Sequence, residues 1–426
     1  MKIFLSIAFM ITATVSLYGQ WVPTSNSDTT DLLSGYFFNE TKGFAVGSQY
    51  NLITSDIYGS LVKTIDGQNW TVVRKNTGSS QFLPGDITFI DANTGFISSG
   101  GDTVIWKTTD GGLTWNGVKG GNITSYPPFS FKIDGYTDIN FPSATVGYAV
   151  GGYKYSISGN NLNKGLMLKT SNGGATWSNL TFSPSDKKLA RIWCFSETNC
   201  IAVGEDGRIF KTSNGGSSWA LISSPITTTD FFDIKFANST VGYICGGRNS
   251  NGHVLKTTDG GASWSLVYTG SDTIITSIYP YSADSIFISS ANGIYESFNG
   301  GASWESSSTE KGLITLLMAD RSSGFAVGNG GKIMKFDRIT NIGAFDESIS
   351  IIQIFPNPCI QKLNISSLEI IHQLNLYNSS GSLVLQMKDI NESDIVLTMN
   401  KLEQGEYFAE LFTDNRKIVK KVIKLQ

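Results

Sequence analysis

Lys107 to Trp115 reads KTTDGGLTW, and variants of this box recur as KTIDGQNW (63–70), KTSNGGATW (169–177), KTSNGGSSW (211–219), KTTDGGASW (256–264) and ESFNGGASW (296–304). A second motif precedes each box: GFAVG from Gly43, GFISSG from Gly95, GYAVGG from Gly147, CIAVG from Cys200, GYICGG from Gly242 and SIFISS from Ser285. A seventh copy, GFAVG, begins at Gly324. Six residues before these starts stand Phe37, Phe89, Phe141, Cys194, Phe236, Tyr279 and Met318, so the offset is constant. The starts fall 39 to 53 residues apart. Within one unit, DIKF, GYICGG, HVLKTTD and SWSLV alternate apolar and polar residues between Gly, Asn and Ser, as four short strands of a meander do. Repeated four-strand units of this length predict an all-β chain built around a seven-bladed β-propeller.

The seventh unit ends in GGKIMKFDRIT with no box tryptophan, while QWVP stands at Gln20. Trp21–Pro23 is expected to supply the missing outer strand and close the ring, which covers two sheet edges that would otherwise invite aggregation.

Recurrence within the chain separates scaffold from chemistry. The acidic position of the box is Asp66, Asp110 and Asp259 in three copies but Asn172, Asn214 and Asn299 in the others. A general acid or nucleophile does not survive that exchange. An acceptor for turn N–H groups does, because both side chains carry an oxygen at the same distance from the backbone. Trp70, Trp115, Trp177, Trp219, Trp264 and Trp304 never change. Burying one Trp stabilises by about 4–6 kcal/mol gross, against about 1 kcal/mol for one hydrogen bond. The box therefore reads as a structural turn dominated by its Trp.

These boxes resemble the Asp-box or BNR repeats of sialidases, sortilin-like receptors and some glucanases. The pairing of GFAVG with KTTDGGxTW is most similar to YCF48/HCF136-like propellers, whose founding members assist photosystem II assembly. The resemblance spans roughly residues 21–338 and implies the fold; fold alone does not imply function.

A sialidase would need converging arginines and an Arg-Ile-Pro stretch, but the nearest match is Arg191-Ile192-Trp193 and the other propeller arginines are scattered. With only His253 and His372, no catalytic triad, His-based metal site or cofactor is expected, and no phosphate-cradling glycine loop occurs. Distant carboxylate pairs of glycosidase type stay open. A net charge of -3 offers no basic field for nucleic acid or anionic lipid. Cys194 and Cys200 take the places of the Phe and Gly that flank the first hairpin elsewhere, and are expected to form a disulfide. Cys245 reads as a small buried hydrophobe.

In a four-strand meander the box turns share one face with the strand 1–2 turns, and the remaining loops share the other. The insertions 48–60, 116–137, 153–165 and 248–252 all fall on that second face. They bring Tyr126, Phe129, Phe131, Tyr136, Tyr153, Tyr155 and Arg248 toward one rim, as candidate ligand-binding residues or, for the aromatic side chains, as packing between the two long loops.

Residues 1–19 have the layout of a secretory signal peptide: Lys2, an apolar run from Ile3 to Leu17, then Tyr18-Gly19. Residues 20–340 form the propeller region and 341–348 a linker. FPNP (355–358), LYNSSG (376–381), LEQGEYF (402–408) and the terminal KKVIK (420–424) follow in that order. They resemble the type A sorting domain of the type IX secretion system over residues 349–426, with a small Ig-like β-sandwich fold. That resemblance implies a Bacteroidota-type bacterium, Sec export through the periplasm, handling by the type IX machinery, and a secreted or outer-membrane-surface destination without a transmembrane segment. The expected function is a non-catalytic propeller that binds a protein or glycan. The alternatives are an extracellular glycoside hydrolase and a YCF48-like assembly factor.

Overall fold

The computed structural model describes residues 20–50, 57–76, 82–100, 104–119, 135–157, 160–271, 273–318, 323–337, 352–355, 359–379, 381–413 and 417–425. The signal segment 1–19 and the linker 341–348 lie outside these residues. The chain divides into two compact units, residues 1–340 and 341–426.

The first unit is a β-propeller of seven sheets among the described residues, antiparallel apart from one two-residue strand, and five of them are made of four consecutive strands. The last sheet combines Leu313–Met318, Ser323–Gly328 and Ile333–Asp337 with Gln20–Pro23, which pairs Trp21 with Phe336 and Val22 with Lys335. The chain then crosses at once to the first sheet, where Ser25–Asn26 pairs in parallel with Asn69–Asn76. One short segment thus fastens the two ends of the ring. The parallel addition was not legible in the sequence because two residues carry no periodicity.

The constant six-residue offset has a packing cause. Phe37, Phe89, Phe141 and Phe236 sit opposite the glycine that opens the next strand, and their rings fold over it. A Cβ on Gly95 would lie 2.6 Å from the Phe89 ring, and one on Gly242 2.4 Å from Phe236. These rings also meet the box tryptophan edge-on: Phe89 with Trp115 at 5.9 Å, Phe141 with Trp177 at 5.7 Å and Phe236 with Trp264 at 5.9 Å. Such pairs contribute about 0.5–1.5 kcal/mol beyond their burial. In the fourth sheet Cys194 and Cys200 form a disulfide with a Cα–Cα distance of 4.1 Å, which stands in for the ring-over-glycine contact. In the sixth sheet the register corrects the sequence alignment by one residue, since Pro280 opposes Ile286. Pro280, not Tyr279, holds the Phe position.

In the second unit Lys362–Asn378 and Leu383–Thr398 form a long antiparallel pair with register shifts near Ile371. Ahead of the shifts Ile352–Phe355 adds to one side; beyond them Gly405–Thr413 and then Lys417–Lys424 continue the sheet. Leu363 and Ile365 from the first half share one buried core with Leu374, Leu376, Tyr407 and Val422 from the second. A flat sheet has nothing with which to bury that face, so the halves pack on each other. The two layers of this β domain are one ladder bent at its bulges.

Candidate functional site

Six of the seven inner strands carry a β-bulge at one equivalent place. The ladders skip Gly85, Thr137, Ala190, Phe232, Thr276 and Ile314. Leu33 holds that place in the first sheet. All seven line one cavity of about 770 Å³, and all are half-buried. A bulge breaks the in–out alternation and re-aims a side chain, so each bulged residue turns to the cavity wall instead of into its own sheet. The wall is largely apolar, through Leu33, Ala190, Phe232 and Ile314.

One residue further along, the inner strands are laced together. Ser34 donates to Asp86, whose other oxygen accepts Ile139 N at 3.2 Å. Asp138 accepts Ile192 N at 2.6 Å. Arg191 lies 3.9 Å from both Asp138 and Asp233 and donates to Thr137 O at 3.0 Å. Asp233 accepts Ile278 N at 3.1 Å and the Ser277 hydroxyl at 2.7 Å. Ser277 Oγ accepts Leu316 N at 3.2 Å, and Thr315 donates to Leu33 O at 2.6 Å, which returns to the first sheet. This belt was missed in the sequence. Its signal is one polar residue three places before each Phe-equivalent position.

Burial pushes Asp138 up to about 7, helped by the neighbouring charge of Asp86 and opposed by Arg191. Burial alone would lower the Arg191 pKa, but Asp138, Asp86 and Asp233 raise it above its ordinary value. Three carboxylates around one guanidinium resemble acid–base machinery. Asp86, Asp138 and Asp233 are nevertheless buried, and backbone N–H groups of the next sheet hold an oxygen of each. Their chemistry is to hold strands in place.

The folded Asp138 pKa lies above its unfolded value of about 3.9. Its contribution to stability is therefore full below about pH 4 and is lost as pH rises through about 7. Melting temperature is expected to fall between pH 5 and pH 8, and Asp138→Asn, which keeps an acceptor for Ile192 N, should flatten that slope. Equal slopes for the two proteins would contradict the assignment.

The candidate rim residues fare differently. Tyr126, Phe129 and Phe131 lie outside the described residues. Tyr136 is a correction: it is 1% exposed and packs in the core with Ile139 and Leu168, because the inner strand begins there. Residues 153–157 and 160–165 are not loop but paired strands, in which Tyr153 pairs with Lys164 and Tyr155 with Leu162. Arg248 stands beside a two-residue turn whose Asn249 and Ser250 have φ of 53° and 63°. Its guanidinium is engaged by Asp230 and by Asp206 at 2.5 Å, so it is part of a rim network and not a free cation. Lys187–Asp206 at 2.6 Å and Lys188–Glu205 at 3.5 Å extend that network. Lys188, Glu205 and Asp230 themselves line the cavity.

The boxes are turns. Asp110 Oδ1 accepts Leu113 N and Thr114 N, both at 2.9 Å, and Asn172 Oδ1 accepts Thr176 N at 3.0 Å. The second atom reverses role: Asp110 accepts the Thr114 hydroxyl, while the Asn172 amide donates to that of Thr176 at 2.8 Å. A hydroxyl tolerates either partner, which is why Asp and Asn exchange. Hydrogen bonds, that from the Thr114 side chain foremost, hold Asp110 down at about 2. The following glycines, Gly111 and Gly112, take φ of 72° and 85°. The box lysine reaches across to the next box, as Lys107 Nζ to Gly173 O and Lys169 Nζ to Gly215 O, each at 2.7 Å. Among the described residues no group of three or more His, Cys, Asp and Glu side chains could hold a metal, and no helix is long and apolar enough to cross a membrane.

Residues 62–224 match the family described as photosynthesis system II assembly factor YCF48, and residues 353–425 match the secretion system C-terminal sorting domain. No curated protein matches the sequence. Among solved structures, YCF48 bound to D1 peptide is 16% identical, with a TM-score of 0.54 over 75% of this chain and 97% of that one. YCF48 from Cyanidioschyzon merolae is 16% identical, with a TM-score of 0.55 over 76% and 100%. An ancestral GH74 enzyme is 11% identical, with a TM-score of 0.52 over 94% and 63%. The chain is thus a β-propeller whose residues 62–224 are similar to the YCF48 assembly-factor family, followed at residues 353–425 by a secretion-system C-terminal sorting domain.

Proposed function

We propose that the propeller is a non-catalytic binding module that takes a protein segment at the 770 Å³ axial cavity once the sorting domain has directed it to the cell surface or medium. The carrying observation is the cavity wall: Leu33, Ala190, Phe232 and Ile314 make it largely apolar, Thr137, Thr276 and Arg191 add a few polar groups, and Lys188, Glu205 and Asp230 stand at the rim. An apolar hollow with a few polar groups suits an extended chain that inserts side chains, and less well a sugar, which needs hydrogen bonds along its length. A similar fold has been solved as YCF48 bound to D1 peptide, which supports a peptide ligand. The likeness to a GH74 enzyme keeps glycan cleavage as the competing reading. The buried carboxylates speak against it, since backbone N–H groups already occupy them. Residues 1–19 would direct Sec export, and the sorting domain would then be removed with release or surface attachment.

A photo-crosslinking residue in place of Ala190, in cells that secrete the full chain, is expected to trap a protein adduct. The same residue at exposed Leu113 on the box face should trap none. Hydrolysis of a glycosidase substrate panel, or equal adducts at both positions, would overturn the reading. Deleting residues 349–426 is expected to leave the propeller in the periplasm; its continued appearance in the medium would refute the export route.

A further inference from the structure

The inner strands carry a further inward layer beyond the polar belt, at the box-turn end. Tyr36, Trp193, Lys235, Tyr279 and Leu317 stand two residues after the belt positions and are all half-buried. They line a separate cavity of about 320 Å³. Its composition differs from the wide mouth: five aromatic residues, apolar Leu317 and Met318, and one cation. The Lys235 ammonium lies 5.7 Å from the centroid of the Trp193 ring, and Lys235 makes no ion pair among the described residues. A half-buried ammonium that makes no close ion pair among the described residues, set among apolar and aromatic groups, offers an incoming anion a cation with an apolar surround.

We infer that this narrow mouth is a second ligand site, for a carboxylate borne on a compact apolar body, such as an aryl or branched aliphatic acid. The volume stands at the lower end of small-molecule pockets, enough for one ring and a short arm. Lys235 binds the carboxylate as the single charge-assisted contact, and the aromatic side chains cover the apolar body. A sugar acid fits less well, since Leu317, Met318 and Pro280 give its hydroxyls nothing to bond and the hydroxyls of Tyr36 and Tyr279 are too few to serve a whole sugar ring. Lys235 has one competing task. It lies near enough to the acidic belt to lower the Asp138 pKa, so it could serve only to balance buried charge. The belt carboxylates sit one layer deeper and are held by backbone N–H groups, which leaves the ammonium as the cation the ligand meets first.

Calorimetric titration of the full secreted chain with 3-phenylpropionate and with its amide separates these roles. The acid is expected to bind about tenfold more tightly than the amide, the ratio set by one charge-assisted contact. Lys235→Met should abolish that preference and Lys235→Arg should keep it. Ala190→Phe, which fills the wide mouth, should leave it unchanged, so that failure of the peptide reading and failure of this one are distinguishable. Equal binding of acid and amide, no binding of the acid up to about 10 mM, or tighter binding of galacturonate would each overturn the proposal. So would a Lys235→Met protein that melts lower yet still prefers the acid, which would assign Lys235 to the belt alone.

Discussion

Removing residues 20–26 is expected to lower the melting temperature by more than about 10 °C or to drive the protein into aggregates. The segment provides the outer strand of the last sheet and a parallel strand of the first. Trp21 is 7% exposed and lies 4.9 Å from Phe336 and 6.2 Å, edge-on, from Phe287. Its indole N–H donates to Ser307 Oγ at 3.2 Å, and Asn26 Nδ2 donates to Gly331 O at 2.8 Å. Loss of the segment leaves Ile333–Asp337 as an open edge over an uncovered core, the arrangement that templates strand addition between molecules. Trp21→Ala alone should cost about 3–5 kcal/mol, as large-to-small changes of a buried aromatic do. Differential scanning calorimetry checks both. A truncated protein that melts within about 2 °C of the intact one would show that the ring does not depend on its N-terminal strand.

Within one box, Trp115→Ala is expected to destabilise most, Thr108→Val next and Asp110→Asn least. Trp115 is 8% exposed and packs edge-on against Phe89, so its loss should cost about 3–5 kcal/mol. Thr108 is 1% exposed, and its hydroxyl accepts Asp110 N at 3.3 Å and Gly112 N at 3.0 Å while donating to Asp110 Oδ1 at 2.7 Å. Valine keeps the shape but strands two backbone N–H groups, a cost of about 2–4 kcal/mol. Asp110→Asn keeps the acceptor and should leave neutral-pH stability unchanged, because Asn already fills that position in boxes of this chain. Its effect belongs at low pH. The depressed Asp110 pKa contributes stability that is present above about pH 4 and lost as pH falls through about 2, and the variant should not show that loss. Urea unfolding of the three variants tests the order, and an Asp110→Asn protein weaker than Thr108→Val would overturn it.

The threonine shows where reading the chain fell short. Recurrence in one sequence exposes what is invariant, and the burial of Trp115 was legible because it follows from residue type. Thr108 and its equivalents carry no such signal, because a hydroxyl's worth depends on being buried with several partners. Arg248 and Tyr136 failed for the same kind of reason. Each has the residue type of a ligand contact, but Arg248 is held by two carboxylates and Tyr136 begins a buried strand. The Phe, Gly and Cys of the hairpins were legible because their contacts lie six residues apart in the chain.

The sequence by itself determined the repeat, its strand order, the Asp–Asn equivalence, the Cys194–Cys200 substitution and the sorting domain. All of these rest on local spacing or on comparison of one repeat with another. Tertiary structure decided where ligands can enter. Each bulge adds an unpaired residue that breaks the two-residue period, so Ala190 and Phe232 face the axis although alternation alone does not place them there. The axial belt and both mouths likewise join residues from neighbouring sheets, 39 to 54 positions apart along the chain or farther in the links described. A recurring polar residue marks the belt positions, but the closure of the ring decides which sheets they join.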